Sequence, residues 1–259
     1  MNEALLVHGD TLFLSRQDPS LPVDTAVSVL IHGIWRQYPS SALTLLRERI
    51  HTNHPLTPVC EGVIKVAAKR STTHDIQSFE ELRCRLSKEV AKVIPIDLSG
   101  AQGGVLLDPA FFQTKEVKPT LDLLLKRSTG IKRVAAALLG PDGHWLGGAW
   151  NTAELDRSAH AEYNLARGLL LNGMKIPKDS TLFVSLRPCA MCAGAIWSAC
   201  ESLEGLHIRF LEEDPGPASK NSCLVVYSDL WLRAGSPGLD VIQFEPNSDK
   251  SPLGKVPNF

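Results

Sequence analysis

The sequence predicts an α/β protein, with a layered α/β domain in its second half and a small α/β domain before it. Three observations carry this. From residue 120 onward, short apolar runs of strand length alternate with longer runs of helical periodicity. Residues 95 to 119 lose periodicity and hold Pro95, Gly100, Gly103, Gly104, Pro109 and Pro119, which marks a crossing segment between two folded parts. Apolar residues make up 44% of the 259 and charged residues 21%, enough for a packed core. The resulting division is 1–95, a linker over 96–119, and 120–259.

In chain order, residues 4 to 7 and 11 to 14 are apolar runs around His8-Gly9-Asp10, a hairpin. Residues 24 to 36 fit either helix or strand: Val27, Val29 and Ile31 alternate, while Leu30 and Ile34 suit a helix. Ser41 to Ile50 reads as an amphipathic helix ended near Asn53 and Pro55. Val59 to Ala68 reads as a strand. Ser78-Phe79-Glu80-Glu81 is a capping box opening a helix that runs to about Ile94. Thr120 to Arg127 reads as a helix. Val134 to Leu139 and His144 to Trp150 form a hairpin around Pro141-Asp142-Gly143. Helices over Ser158 to Leu171 and Cys189 to Cys200 then alternate with strands over Thr181 to Leu186, Leu206 to Leu211 and Leu239 to Phe244.

The formal net charge of −1 argues against a strongly basic nucleic-acid binder and leaves room for local basic patches. No positive n-region with an apolar core opens the chain, and the apolar stretch at Val134 to Leu139 is far too short to span a bilayer. A cytoplasmic protein that avoids membranes is expected, its six cysteines largely reduced. Cys60, Cys84, Cys200 and Cys223 then read as ordinary thiols.

The chemistry lies in Ser158-Ala159-His160-Ala161-Glu162 and Arg187-Pro188-Cys189-Ala190-Met191-Cys192. Cys189 and Cys192 are three apart and share a helix face. Pro188 suits a helix start, and the helix N-terminus favours a thiolate. His160 and Glu162 are two apart, so both reach one place only if their helix aims its end there. One imidazole and two thiolates suit Zn²⁺ and leave a fourth position for water, which can lose a proton near neutral pH. Glu162 is left for proton transfer among that water, a ring nitrogen and a leaving amine. A structural zinc site would need a fourth ligand. Cys200 lies ~12 Å along the helix from Cys192, too far to share the metal, while Cys60, Cys84 and Cys223 stay open on sequence alone.

The stretch from about 131 to 211 resembles the cytidine deaminase superfamily, most closely its tRNA adenosine deaminase branch. Ser158 to Glu162 is similar to that branch's T-A-H-A-E, and Pro188 to Ile196 to its P-C-V-M-C-A-G-A-M. The H-x-E and P-C-x-x-C pattern is the zinc deaminase signature. The resemblance implies a cytidine-deaminase-like three-layer α/β/α domain. It implies zinc held by His160, Cys189 and Cys192, with Glu162 as the proton shuttle of zinc-hydroxide attack. It also implies that Asn151 and the Ala161 amide contact the base, and that two chains pair as a homodimer, with Trp197 and Trp231 as candidate buried contacts. The substrate so implied is adenosine in RNA. Arg187 departs from the glutamate usual at that place, and the gap from Asn151 to His160 is shorter than usual. Free-base or nucleoside deaminases of guanine or cytosine share much of the motif, and a silent zinc module that binds RNA or a protein is the third reading. The segment Leu45 to Ile50 with His54-Pro55-Leu56 resembles the N-terminal domain of the noncatalytic subunit of eukaryotic tRNA adenosine deaminases. Residues 1–95 hold no deaminase motif, and Arg36 to Lys92 carries more Lys and Arg than Asp and Glu, so the region is expected to dock substrate, with Lys65, Lys69 and Arg70 among the positive charges, or else to cover apolar core surface. His51, His54, His74 and His144 read as loop or surface residues, and the basic stretch Lys115 to Arg133 as a solvated face.

Overall fold

A computed structural model describes the chain except residues 99–103, 113, 115, 130–131, 153–158, 217–218, 221, 226–238 and 245–259. Two mixed sheets form, one on each side of the segment at residue 100. The first begins with the expected hairpin, β1 (Glu3–His8) and β2 (Thr11–Arg16), turning at Gly9 with φ of +60°. The segment that fits both periods is a helix, α1 (Ala26–Gln37). Thr25 caps it by accepting the Ser28 amide, and Ala26 to Trp35 are all buried. Burial on every side removes the polar stripe that would have separated helix from strand.

Four sequence expectations in this half are corrected. The helix over Ser41 to Ile50 shrinks to one turn, α2 (Ala42–Leu45), and the chain then enters strand β3 (Arg49–Thr52). The strand over Val59 to Ala68 is instead helix α3 (Pro58–Ala67). Thr57 caps α3 on the Cys60 amide and Pro58 sits in its first turn, so local signals favour a helix despite the valines. The cap of α4 (Ile76–Glu89) is Asp75 rather than Ser78: Asp75 accepts the Ser78 amide at 2.9 Å and the Ser78 hydroxyl donates to it as well. This helix stops at Glu89, and the residues expected to finish it become strand β5 (Lys92–Ile96). β4 (Arg70–Thr73) completes the sheet, in the order β4-β3-β1-β2-β5.

The second sheet has the order β11-β10-β9-β7-β8-β6. Its strands are β6 (Val105–Leu106), β7 (Ala135–Leu139), β8 (Trp145–Trp150), β9 (Thr181–Leu186), β10 (His207–Glu212) and β11 (Asp240–Gln243). β6 lies within the segment expected as a linker and edges the sheet beside β8. Side chains alternate faces along each strand. Ala135, Ala137 and Phe183 meet Leu121 and Leu124 of α5 (Val117–Leu125) on one face. Ala136, Leu138, Leu182 and Val184 meet the opposite layer, α6 (Ala161–Leu171) and α7 (Ala190–Ala199). The result is the three-layer α/β/α arrangement.

That second core is continuous with the first half. Tyr163 and Leu165 of α6 share one buried cluster with Val27 and Ile31 of α1. Asp24, just before α1, accepts from Arg167 Nε with both oxygens at 2.9 Å and from the Tyr163 hydroxyl at 3.1 Å. The His32 ring stacks on Tyr163 at 4.3 Å. Helices α3 and α7 cross so closely that a Cβ on Gly62 would overlap the backbone of Ala190 and Met191. One on Gly194 would overlap Pro58 and Val59. Among the described residues, no helix is long and apolar enough to cross a membrane.

Gly62→Val should therefore lower stability through overpacking, by about 1–3 kcal/mol or more. Urea unfolding should show an earlier midpoint at an unchanged slope. A wild-type midpoint would show that α3 and α7 can part without cost.

Candidate active site

Two helix starts build the site. His160 is the N-cap of α6, with φ of −74° and ψ of 154°, and so lies outside the helical turn. That resolves the geometry of His160 and Glu162: the cap residue leaves the helix path, and Glu162 in the first turn can aim at the same place. Cys189 is the N-cap of α7 and Cys192 lies in its first turn. His160 Nδ1 is 3.5 Å from each sulfur, and the two sulfurs are 3.5 Å apart. Four-coordinate zinc at ordinary bond lengths separates two sulfurs by about 3.8 Å and a sulfur from a nitrogen by about 3.6 Å. The donor triangle fits that ion. Among the described residues it is the one His/Cys/Asp/Glu group with metal-binding spacing, and no fourth cysteine joins it.

Burial and close spacing make the groups of this cluster act on one another. A hydrogen bond from Cys192 and the charge and hydrogen bond of His160 hold the Cys189 thiol well below its usual range, against the opposing effect of burial. Burial and the neighbouring Cys189 push Cys192 well above it. Glu162 is 3% exposed, and one carboxylate oxygen has no hydrogen-bond partner among the described residues. Burial first, and the negative Cys189 second, push its pKa up to about 7.

The structure thus brings His160, Glu162, Cys189 and Cys192 together, with Ala161 opening α6 between the first two. Asn151 follows β8 and is buried among its own neighbours. Its side chain accepts the Val134 amide at 2.9 Å and the Ser128 hydroxyl, and donates to the Lys132 carbonyl. It clamps the segment that leads into β7. Trp197 is half-buried on α7 and packs against the main core. Trp231, Ser158 and Lys115 lie outside the described residues. His51 and His74 pair with each other at 2.9 Å, and His54 Nδ1 lies 3.0 Å from the Pro55 carbonyl oxygen.

Sequence reasoning missed Asp24, whose partners Tyr163 and Arg167 stand on the helix that carries Glu162. A lone aspartate before a threonine gives no sign of partners so distant in the chain. It also left Arg187 unexplained. That guanidinium pairs with Glu213 at 3.0 Å and lies over the Phe210 ring at 5.5 Å, beside the Cys189 helix start.

Residues 126–228 match the sequence model of the Bd3614-like deaminase family. A tRNA-specific adenosine deaminase of Haemophilus influenzae (strain ATCC 51907 / DSM 11121 / KW20 / Rd) is 37% identical over 93 residues, which is 33% of this chain and 51% of that protein. This segment is a deaminase domain of the cytidine deaminase superfamily. The chain spans about half the length of the curated relative it matches. Among solved structures, a tRNA:A34 deaminase studied for A-to-I editing at the wobble position is similar at 26% identity and a TM-score of 0.32. The match covers 42% of this chain and 76% of that one. The dCMP deaminase of cyanophage S-TIM5 is similar at 21% identity and a TM-score of 0.34, over 49% and 92% of the two chains.

Within the deaminase domain, Asn151 carries a testable structural load. Asn151→Ala should cost roughly 2–3 kcal/mol, because it leaves buried groups at Val134 and Lys132 unpaired. Thermal melting checks this, and an unchanged melting temperature would free Asn151 from the clamping role.

Proposed function

We propose that the deaminase domain hydrolyses the exocyclic amine of a nucleobase, with adenosine in RNA as its substrate. The observation that carries this reading is the 3.5 Å triangle of His160, Cys189 and Cys192 with the buried Glu162 carboxylate beside it. His160, Cys189 and Cys192 would hold zinc, with the two thiolates neutralising the dication. Zinc with three protein ligands supplies Lewis acidity and lowers the pKa of water at its open position.

Glu162 is the proton carrier. A carboxyl group poised near 7 can both accept and donate a proton at neutral pH. It takes a proton from the attacking water and gives it to a ring nitrogen, then takes the proton left on the added hydroxyl and gives that one to the departing amine. Burial under the first turn of α6 keeps bulk water from competing. Adenosine as the base and RNA as its context are supported by the 37% identity to a tRNA-specific adenosine deaminase. Asn151 and the Ala161 amide are the proposed base contacts. Residues 1–95 grip the polynucleotide around the base. Lys65, near the end of α3, donates to the Lys220 carbonyl at 3.3 Å, so the basic end of α3 adjoins the deaminase domain.

Cys189→Ala should lose most of its zinc by elemental analysis, and retention of stoichiometric metal would remove Cys189 from the ligand set. Glu162→Gln should keep zinc and fold and lose turnover on the order of a hundredfold or more. Product analysis by mass spectrometry after incubation with tRNA, single-stranded DNA and free bases identifies the substrate. Inosine in tRNA supports the proposal, whereas uracil or xanthine from free bases transfers it to the nucleobase deaminases. Neutralising Lys65, Lys69 and Arg70 together should weaken polynucleotide binding and flatten its salt dependence, with a short nucleoside substrate turned over as before. Equal losses on both substrates would leave this half as structural cover.

A further inference from the structure

Four strands of the first sheet repeat four of the deaminase sheet. In both, a hairpin is followed by a helix, a strand antiparallel to the hairpin's first strand, a second helix, and a parallel strand. The order β4-β3-β1-β2 is thus equivalent to β10-β9-β7-β8. The register agrees too. Leu6 faces Ile50, which faces Ser71; Leu138 faces Leu182, which faces Ile208. Counting equally from Ile50 and from Leu182 places Thr57 on Cys189, Cys60 on Cys192 and Gly62 on Gly194. Helix α1 stands where α6 stands, so the cap Thr25 falls on the cap His160, Ala26 on Ala161 and Val27 on Glu162.

Two independent observations support this superposition. The helix contact is reciprocal: Gly62 abuts Ala190 and Met191, while Gly194 abuts Pro58 and Val59, their counterparts. Reciprocity of this kind is the mark of a twofold interface, where each surface meets its own equivalent. The three counterparts of the metal ligands also converge. Thr57 Oγ1 donates to Cys60 Sγ at 3.3 Å, and Cys60 Sγ donates to Thr25 Oγ1 at 3.2 Å. These repeat the Cys189–Cys192 and Cys192–His160 edges of the active triangle, each 3.5 Å.

We propose that residues 3–96 are a second copy of the deaminase fold without its metal site, paired with the catalytic copy about a pseudo-twofold axis at the crossing of α3 and α7. The partner that the sequence led us to expect in a second chain is supplied within this one. This rests on reading His160, Cys189 and Cys192 as the zinc site. The first half does no deamination, because Thr25, Thr57 and Val27 replace the imidazole, one thiolate and the carboxylate.

The test restores the site in the full-length protein. Thr25→His with Thr57→Cys, beside the native Cys60, should raise zinc content from about one to about two per chain. Thr25→Asp with Thr57→Cys, which keeps the side chains small and a capping oxygen on α1, is the second variant. Cys189→Ala in either background should then leave about one zinc, held in the first half. Variants that keep the wild-type melting temperature and bind a single zinc overturn the proposal, as does failure of both variants to fold. Wild-type protein without zinc would instead sink the proposed catalytic site, a separate result read from the same measurement.

Discussion

The close crossing of α3 and α7 is the constraint on which the rest depends. Two glycines let the helix backbones touch, and any side chain at either place would push into the opposing main chain. The N-terminus of α7, which carries both cysteines, is thereby fixed between its own sheet and the first half of the molecule. A helix end held by packing on two sides has little freedom to move its first turn. Such rigidity keeps two sulfurs and an imidazole nitrogen within a few tenths of an ångström of the spacing a tetrahedral ion needs. The Asp24 bridge does the same for α6. Its bonds to Arg167 and Tyr163 tie the helix that carries His160 and Glu162 to the start of α1.

Charge is the second constraint. Two thiols and a carboxyl group are buried together, and burying like charges is costly. The surroundings act unevenly on these groups: the Cys189 thiol is held below its usual range, while the Cys192 thiol and the Glu162 carboxyl are pushed above theirs. A dication reverses this for the sulfurs, since a coordinating thiol is deprotonated outright. On the proposed reading a dication would offset the like charges of the two thiolates and leave Glu162 to exchange protons.

The second half was legible because its signals are local. A turn glycine and short apolar strands each sit within a few residues, and the site motif falls on two helix starts whose roles follow from residue type. The first half was less legible for a physical reason. Over residues 59 to 68 the β-branched composition suggests a strand, and α3 is valine-rich because it packs against another helix rather than against a polar surface. Its cap, Thr57-Pro58, was the stronger cue. At Asp75 the near-miss was of another kind, since Ser78 and Asp75 both offer cap oxygens and only the structure shows which accepts the amide. Asp24 and Arg187 had no local signature, because their partners lie far along the chain.

The two copies differ most where burial is most demanding, and this explains why the first half needs no metal. Thr25, Thr57 and Cys60 are neutral groups, each with both donor and acceptor capacity, and they form an open chain of hydrogen bonds from Thr57 to Cys60 to Thr25, which Thr25 continues to the Ser28 hydroxyl. Val27, at the place of Glu162, is fully buried and removes the remaining charge. At the active triangle the corresponding contacts are longer, 3.5 Å, and both cysteines are buried beside the Glu162 carboxyl group. Thr25 and Thr57 also cap their helices through side-chain oxygens, which His160 and Cys189 do not, so the hydroxyls add caps while removing titratable groups. One fold can then be used twice in one chain, once as a charged site that calls for an ion and once as a neutral support for it.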